Sequence, residues 1–341
     1  MNNLTEVKNL FKEENGHLRH LACRRYCLIE EDGKGACSVY ENQNGRLYSL
    51  GYGRISSFAI DPIEKKPLYH FYPSSKVFSV GGISCNFACP ACQNFQIAHF
   101  SQDISEKARY LSPVQLVDMA QKSGCAGIAF TYNEPTVFAE YTLDVLRLAK
   151  QKGLYTVYVT NGYMSKELLS MLTPVLDAAS VDIKAFNQSA MKKITGNISD
   201  YHGVLDTCLR LKENGVHLEV VTNIIPKVND DLNDLSSQAT WICNNLGALT
   251  PFHITRFFPQ QTCLEMTATD YTFFDKVMAQ NWRIGLKYTY VGNIPNHSAQ
   301  NTFCASCGHQ LVGRFGHSAV VKGLTSAGNC EQCGDSAHFV L

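Results

Sequence analysis

GGISCNFACPACQNF, residues 81–95, spaces three cysteines as C-x3-C-x2-C, at Cys85, Cys89 and Cys92. The apolar run Phe78–Ile83 leads into it and reads as a strand, so the cysteines fall on the loop that follows. One loop with this spacing can offer three thiolates to a single compact inorganic centre. A structural zinc site takes four closed ligands, and an ordinary four-iron cluster takes four cysteines. Three close cysteines from one loop therefore suggest an iron left open for another ligand.

Downstream of the loop, apolar β-rich runs alternate with amphipathic segments. Gly127–Tyr132, Tyr155–Thr160, Ser180–Phe186, His217–Ile225, Phe252–Phe258 and Lys287–Gly292 read as strands. Helices are expected between them. Ser112–Pro113 is an N-cap followed by proline at the first helical position, and Gly153 closes the segment opened by Pro135. Further helices are expected near Lys166–Leu172, Tyr201–Glu213, Leu232–Asn244 and Tyr271–Gln280. This alternation predicts an α/β fold with a parallel sheet, either a barrel or doubly wound. An open or partial (β/α) barrel is favoured, because the motifs fall on loops after strands, where barrels place their reactive groups.

The 341-residue chain accommodates one large domain with smaller attachments. We divide it into a Cys-rich region at 1–75 with short strands at Ala36–Glu41 and Arg46–Gly51, a barrel at 76–300, and a Gly-rich tail at 301–341. Thirty basic residues balance thirty acidic ones, so no global field favours nucleic acid or an acidic membrane surface. The charged N-terminus lacks a signal-peptide core, no apolar stretch is long enough to span a membrane, and a cytoplasmic location is expected. In a reducing compartment, clustered cysteines more often bind metal than form disulfides. Ten of the fourteen cluster, at Cys23, Cys27 and Cys37, at Cys85, Cys89 and Cys92, and at Cys304, Cys307, Cys330 and Cys333.

The central loop resembles that of the radical S-adenosylmethionine superfamily. The resemblance implies a (β/α)6-type, TIM-like partial barrel and a [4Fe-4S] cluster on Cys85, Cys89 and Cys92. The open iron would bind S-adenosylmethionine, whose reductive cleavage gives a 5′-deoxyadenosyl radical that abstracts hydrogen from a substrate. TYNEP (131–135) sits where the superfamily binds the methionyl amino group, which makes Glu134 the candidate for that contact. VTNG (159–162) and VDIKAF (181–186) resemble motifs of glycyl-radical-activating enzymes, so Thr160 and Asn161 are expected at the nucleoside, with Asp182 and Lys184 facing the cavity. Val159 stands where those enzymes have an acidic residue. HITRFFP (253–259) adds His253 and Arg256, which with Lys184 are the catalytic candidates.

DPIEKKPLYHFYP (61–73), GIAFTYNEP (127–135), HITRFFP and the GNIP…NTFCASCG run (292–308) are similar to the radical enzyme of the AmmeMemoRadiSam system, and the likeness covers nearly the whole chain. Gln260–Gln261–Thr262 departs from that group's pattern. The likeness implies as partners an electron donor such as flavodoxin or ferredoxin and the other proteins of that system.

Cys304-x2-Cys307 and Cys330-x2-Cys333 form two knuckles, each followed by glycine, the pattern of a four-cysteine zinc ribbon. A rubredoxin-like iron or an auxiliary cluster is the alternative. The tail carries only Arg314 and Lys322 as basic residues, beside Glu331 and Asp335, a poor phosphate-binding surface. HLACRRYCLIEEDGKGAC (20–37) places His20, Cys23, Cys27 and Cys37 as a second candidate zinc set, with isolated structural cysteines as the alternative. The related group tends to have cysteine where His20 stands. Against the enzyme reading stands a metal-stabilised binding protein that senses redox state or oxygen, or associates with nucleic acid; reductive cleavage of S-adenosylmethionine separates the two.

Overall fold

The computed structural model describes residues 4–341. Its central sheet has eight strands, labelled here β1 (Ser57–Pro62), β2 (Lys76–Gly81), β3 (Gly127–Phe130), β4 (Tyr155–Thr160), β5 (Ala178–Asp182), β6 (His217–Ile224), β7 (Phe252–Arg256) and β8 (Thr289–Gly292). They lie side by side in chain order, with β2 to β8 parallel throughout and β1 antiparallel to β2, Ser57 opposite Gly81. The longer helices between them are α1 (Pro113–Lys122), α2 (Ala139–Gln151), α3 (Lys166–Leu172), α4 (Gln188–Thr195), α5 (His202–Glu213), α6 (Leu232–Asn245) and α7 (Tyr271–Ile284). Six strand–helix units starting at β2 are thus followed by one more parallel strand, β8.

The parallel strands read as continuous apolar runs because both faces are covered. Ile128, Val157, Val181, Val220, Ile254 and Val291 are fully buried, and burying each such side chain contributes about 1.5–3 kcal/mol. The helix starts follow their caps. The Ser112 hydroxyl accepts from Gln115 N while the Gln115 side chain accepts from Ser112 N, and Asn187 caps α4, an element that the sequence pattern did not signal. The sequence also gave no sign of β1, whose apolar residues Phe58 and Ile60 are 44% and 51% exposed and form no buried stripe. Because β1 pairs with β2, the boundary expected between residues 75 and 76 runs between two paired strands.

Residues outside the sheet form small sheets of their own. Phe11–Glu14, His17–His20 and Leu28–Ile29 pair antiparallel near the N-terminus, and Thr302–Phe303, Gln310–Phe315 and Ser318–Val321 do so near the C-terminus. The C-terminal segment is tied to the 69–72 stretch. Arg314 donates to the carbonyls of Gln300 and Tyr69 and lies over the Tyr69 ring, and Val340 pairs with Phe71.

Candidate iron–sulfur site

The loop after β2 is fastened at both ends by side-chain amides. Asn133 Nδ2 donates to the Ser84 carbonyl at 2.6 Å, and Asn133 Oδ1 accepts from Gly82 N at 3.2 Å. Asn94 Nδ2 donates to the Tyr132 carbonyl at 2.6 Å. At mid-loop Ala88 N donates to Thr195 O, and Gly196, at φ +80°, packs so closely that a Cβ there would meet Ala88 O at 2.4 Å. Only glycine fits that contact and that backbone angle together.

This frame presents Cys85, Cys89 and Cys92 from one loop. The Cys85 sulfur accepts from Phe87 N at 3.4 Å, and Asn161 Nδ2 lies 3.8 Å from it. Burial pushes the Cys85 thiol well above its ordinary value, with the Glu134 charge adding to the effect, and it pushes Cys89 up to about 11 and raises Cys92. The Lys184 ammonium opposes the shift at Cys89 and Cys92. Burial alone would lower the pKa of Lys184, but Asp182, 2.5 Å from Nζ, and the two thiols raise it and keep the group charged. Three half-buried thiols, an N–H aimed at sulfur and a fixed cation nearby are a donor set suited to an iron–sulfur cluster, whose charge would stabilise thiolates that burial alone disfavours.

Glu134, at the end of β3, is 1% exposed. Its Oε1 accepts from Thr136 N at 3.0 Å, Thr136 Oγ1 at 2.5 Å and Thr160 Oγ1 at 2.7 Å, and its Oε2 accepts from Asn161 N at 2.8 Å. The carboxylate therefore clamps the end of β4 to that of β3. Burial raises its pKa, and these donors offset part of the shift. Asn161 in turn donates from Nδ2 to Asn86 Oδ1 at 2.7 Å and accepts from Tyr163 N at 3.0 Å. Glu134, Thr160 and Asn161 thus sit where the motifs put them, beside the cysteine loop, with most of their polar atoms engaged by the protein itself. Of the carboxylate's roughly four lone-pair directions, one on Oε2 remains for a ligand.

Residues 80–236 match the family described as the Radical SAM superfamily. The chain belongs to that superfamily. Over 333 residues it is 39% identical to an uncharacterized protein of Methanocaldococcus jannaschii, MJ0808, covering 97% of this chain and 98% of that one. It is 27% identical over 173 residues to the isethionate sulfite-lyase activating enzyme of Nitratidesulfovibrio vulgaris, which spans 50% of this chain and 54% of that enzyme. Among solved structures, a radical SAM methyltransferase from Sphaerobacter thermophilus superposes with a TM-score of 0.52 at 14% identity, covering 90% of this chain and 81% of that one. That likeness shows the fold: the α/β partial barrel of radical SAM proteins.

Two further residues expected at the radical SAM centre, His253 and Arg256, are engaged by groups of the protein itself. His253 is the second residue of β7 and lies opposite Val221 of β6, which in turn lies opposite Asp182 at the end of β5. His253 Nε2 is 2.7 Å from Glu219 Oε2, and its ring packs edge-on against Tyr69. The fully buried Glu219 also takes His217 Nε2 at 3.0 Å and His70 N at 2.7 Å. Burial alone would raise its pKa, but the two histidines hold it well below the ordinary carboxylate range. This is a closed structural network. Arg256 is likewise engaged, donating to Thr269 O and Tyr271 Oη and stacking on the Phe258 and Tyr271 rings, which fastens the start of α7. A cavity of about 1320 Å³ opens at the end of the sheet away from the cysteine loop, lined in part by Ala126, Tyr155, Asp177 and His217.

The terminal cysteines behave differently from each other. Cys304 and Cys333 sulfurs are 3.5 Å apart, Cys307 and Cys330 3.7 Å, and all four lie within 4.8 Å of one another, close enough to share one metal ion. Among the described residues, His20, Cys23, Cys27 and Cys37 do not close in this way. The His20 ring stacks on Tyr40 at 3.8 Å, and its Nε2 is 3.9 Å from Glu140, so the expected four-ligand zinc set is not assembled. The sequence reading missed Asn86 and Asn133, which hold the loop. Asn133 lies inside the TYNEP motif, but nothing in the pattern singles out its amide.

Proposed function

We propose that this chain is an enzyme of the radical S-adenosylmethionine type, with a [4Fe-4S] cluster on Cys85, Cys89 and Cys92. The observation that carries the proposal is three half-buried thiols from one loop, faced by the Lys184 ammonium and supported by an N–H donor at Cys85. The bound cluster and S-adenosylmethionine would supply the 5′-deoxyadenosyl radical that abstracts hydrogen from the substrate. The protein's share is positional. Asn133 and Asn94 hold the loop at both ends, Glu134 ties two strand ends beneath it, and Lys184 with Asp182 fixes charge at the Cys89–Cys92 side.

A reaction of the glycyl-radical-activating kind is the form we favour, since the motif likenesses and the matched relatives point to activating enzymes. The substrate would then be a partner protein and the electron source a flavodoxin or ferredoxin, with the proteins of the AmmeMemoRadiSam system as candidate partners. The C-terminal four-cysteine group would hold zinc, which folds a segment with little core of its own. No helix is long and apolar enough to cross a membrane. The test is anaerobic reconstitution with iron and sulfide, followed by reduction in the presence of S-adenosylmethionine. Formation of 5′-deoxyadenosine, lost when Cys85, Cys89 and Cys92 are changed to Ala, is expected. Its absence in the intact, cluster-loaded protein would refute the proposal.

A further inference from the structure

Cys23, Cys27 and Cys37 are 48 or more positions from Cys85 in sequence, yet they lie against the same loop. The Ser84 hydroxyl donates to the Cys37 carbonyl at 2.6 Å, and Arg25 Nε donates to the Asn86 carbonyl at 2.7 Å. The local chain gathers the three thiols. Tyr26, in the left-handed region at φ +44°, turns the chain between Cys23 and Cys27. Gly35 brings the Cys37 arm back so closely that a Cβ there would lie 3.9 Å from Cys27 Cβ.

The backbone N–H of Arg25 acts against the upward shift of the Cys23 pKa, and that of Val39 acts against the shift of Cys37. Asn86 is 2% exposed, and its Oδ1 is taken by Asn161. Its buried Nδ2 has no hydrogen-bond partner at ordinary distance and is directed at Cys23. An orphaned buried N–H of this kind costs about 1–3 kcal/mol unless an acceptor is supplied. A thiolate or inorganic sulfide would be that acceptor, whereas a neutral thiol is a weak one.

Burial, with the neighbouring thiols adding to it, pushes Cys23 up to about 11 and Cys37 up to about 12. Arg25 is the cation nearest to hand, and it opposes the shift at Cys23. Metal binding is the ordinary means by which such a set becomes thiolate.

The spacing of the sulfurs says which kind of centre fits. A single ion with metal–sulfur bonds of about 2.3 Å needs its ligands close together, as the C-terminal sulfurs are, at 3.5 and 3.7 Å. Neither the Cys85–Cys89–Cys92 set nor the Cys23–Cys27–Cys37 set has all its sulfurs within 4.8 Å. Wider spacing suits thiolates bound to different irons of one cluster. We infer that Cys23, Cys27 and Cys37 bind a second iron–sulfur cluster, separated from the first by Asn86.

The test uses the full chain, reconstituted anaerobically. The intact protein is expected to hold about eight irons, twice the about four of a single cluster. Cys85→Ala/Cys89→Ala/Cys92→Ala leaves the N-terminal set untouched and should keep about half of the iron, with the Mössbauer signature of a cluster. In that background Asn86→Leu removes the N–H aimed at Cys23 and should make the midpoint potential of the remaining cluster more negative. Cys23→Ala/Cys27→Ala/Cys37→Ala should give the complementary half. If the Cys85 triple variant folds, as shown by an unchanged circular dichroism spectrum, but holds no iron, or holds zinc at the N-terminal set, the inference fails. Because these readouts do not involve 5′-deoxyadenosine, that failure is distinguishable from a failure of the proposed activity.

Discussion

Glu134→Gln is the substitution that best separates a structural clamp from a cofactor ligand. The glutamine carbonyl can stay where Oε1 accepts from Thr136 N and from the two threonine hydroxyls. Its NH2 group then replaces Oε2 and faces Asn161 N–H, now 2.8 Å from an acceptor, so two donors meet. The loss of one hydrogen bond to a charged acceptor costs about 1.5–3 kcal/mol, and the unpartnered Asn161 N–H adds to it. The variant also sheds a buried charge, which returns part of the cost, because burial raises the pKa of Glu134. A net loss of about 2 kcal/mol is expected, which corresponds to a fall of roughly 3 °C in melting temperature for a chain of this length. Anaerobic thermal melts of the protein without S-adenosylmethionine measure the clamp alone, and an equilibrium titration of the cluster-loaded protein measures cofactor affinity. A melting temperature within a degree of the wild type, together with weakened affinity, would refute the clamp and make Glu134 a ligand only.

Three further outcomes are expected. His253→Asn breaks the contact with Glu219 and should lower stability by several kcal/mol through the buried charge it leaves half-paired, while cluster loading stays at the wild-type level; a loss of cluster with stability unchanged would place His253 at the centre after all. His70 is buried, and that burial lowers its pKa to about 3 from 6.5. A depressed folded value means the stabilisation is complete above about 6.5 and is lost as pH falls toward 3; His70→Phe should flatten that part of an acid-unfolding curve, and an identical acid limb would contradict it. Chelating the metal proposed for the C-terminal cysteines should expose 301–341 to proteolysis and lower the melting temperature of the whole chain, because Arg314 and Val340 hold the 69–72 stretch; cleavage of the tail with no change in melting would show that it does not brace the barrel.

Some of this molecule is decided within a few residues of sequence, and there the reading holds. C-x3-C-x2-C after an apolar strand places three thiols on one loop, since short chain spacing limits how far apart they can lie. The strand–helix alternation predicts the parallel sheet because strands covered on both faces must be apolar along their length. Tertiary structure decided what depends on direction and on distant partners. HITRFFP marks a strand, but only its place in the sheet shows that Glu219 of the neighbouring strand takes the His253 ring. His20 and Cys23 are three residues apart, yet the imidazole packs on the Tyr40 ring, while Asn86, 63 positions on, faces the sulfur. Local spacing brings side chains within reach of one another, and the packing of remote segments decides which of them face the same centre.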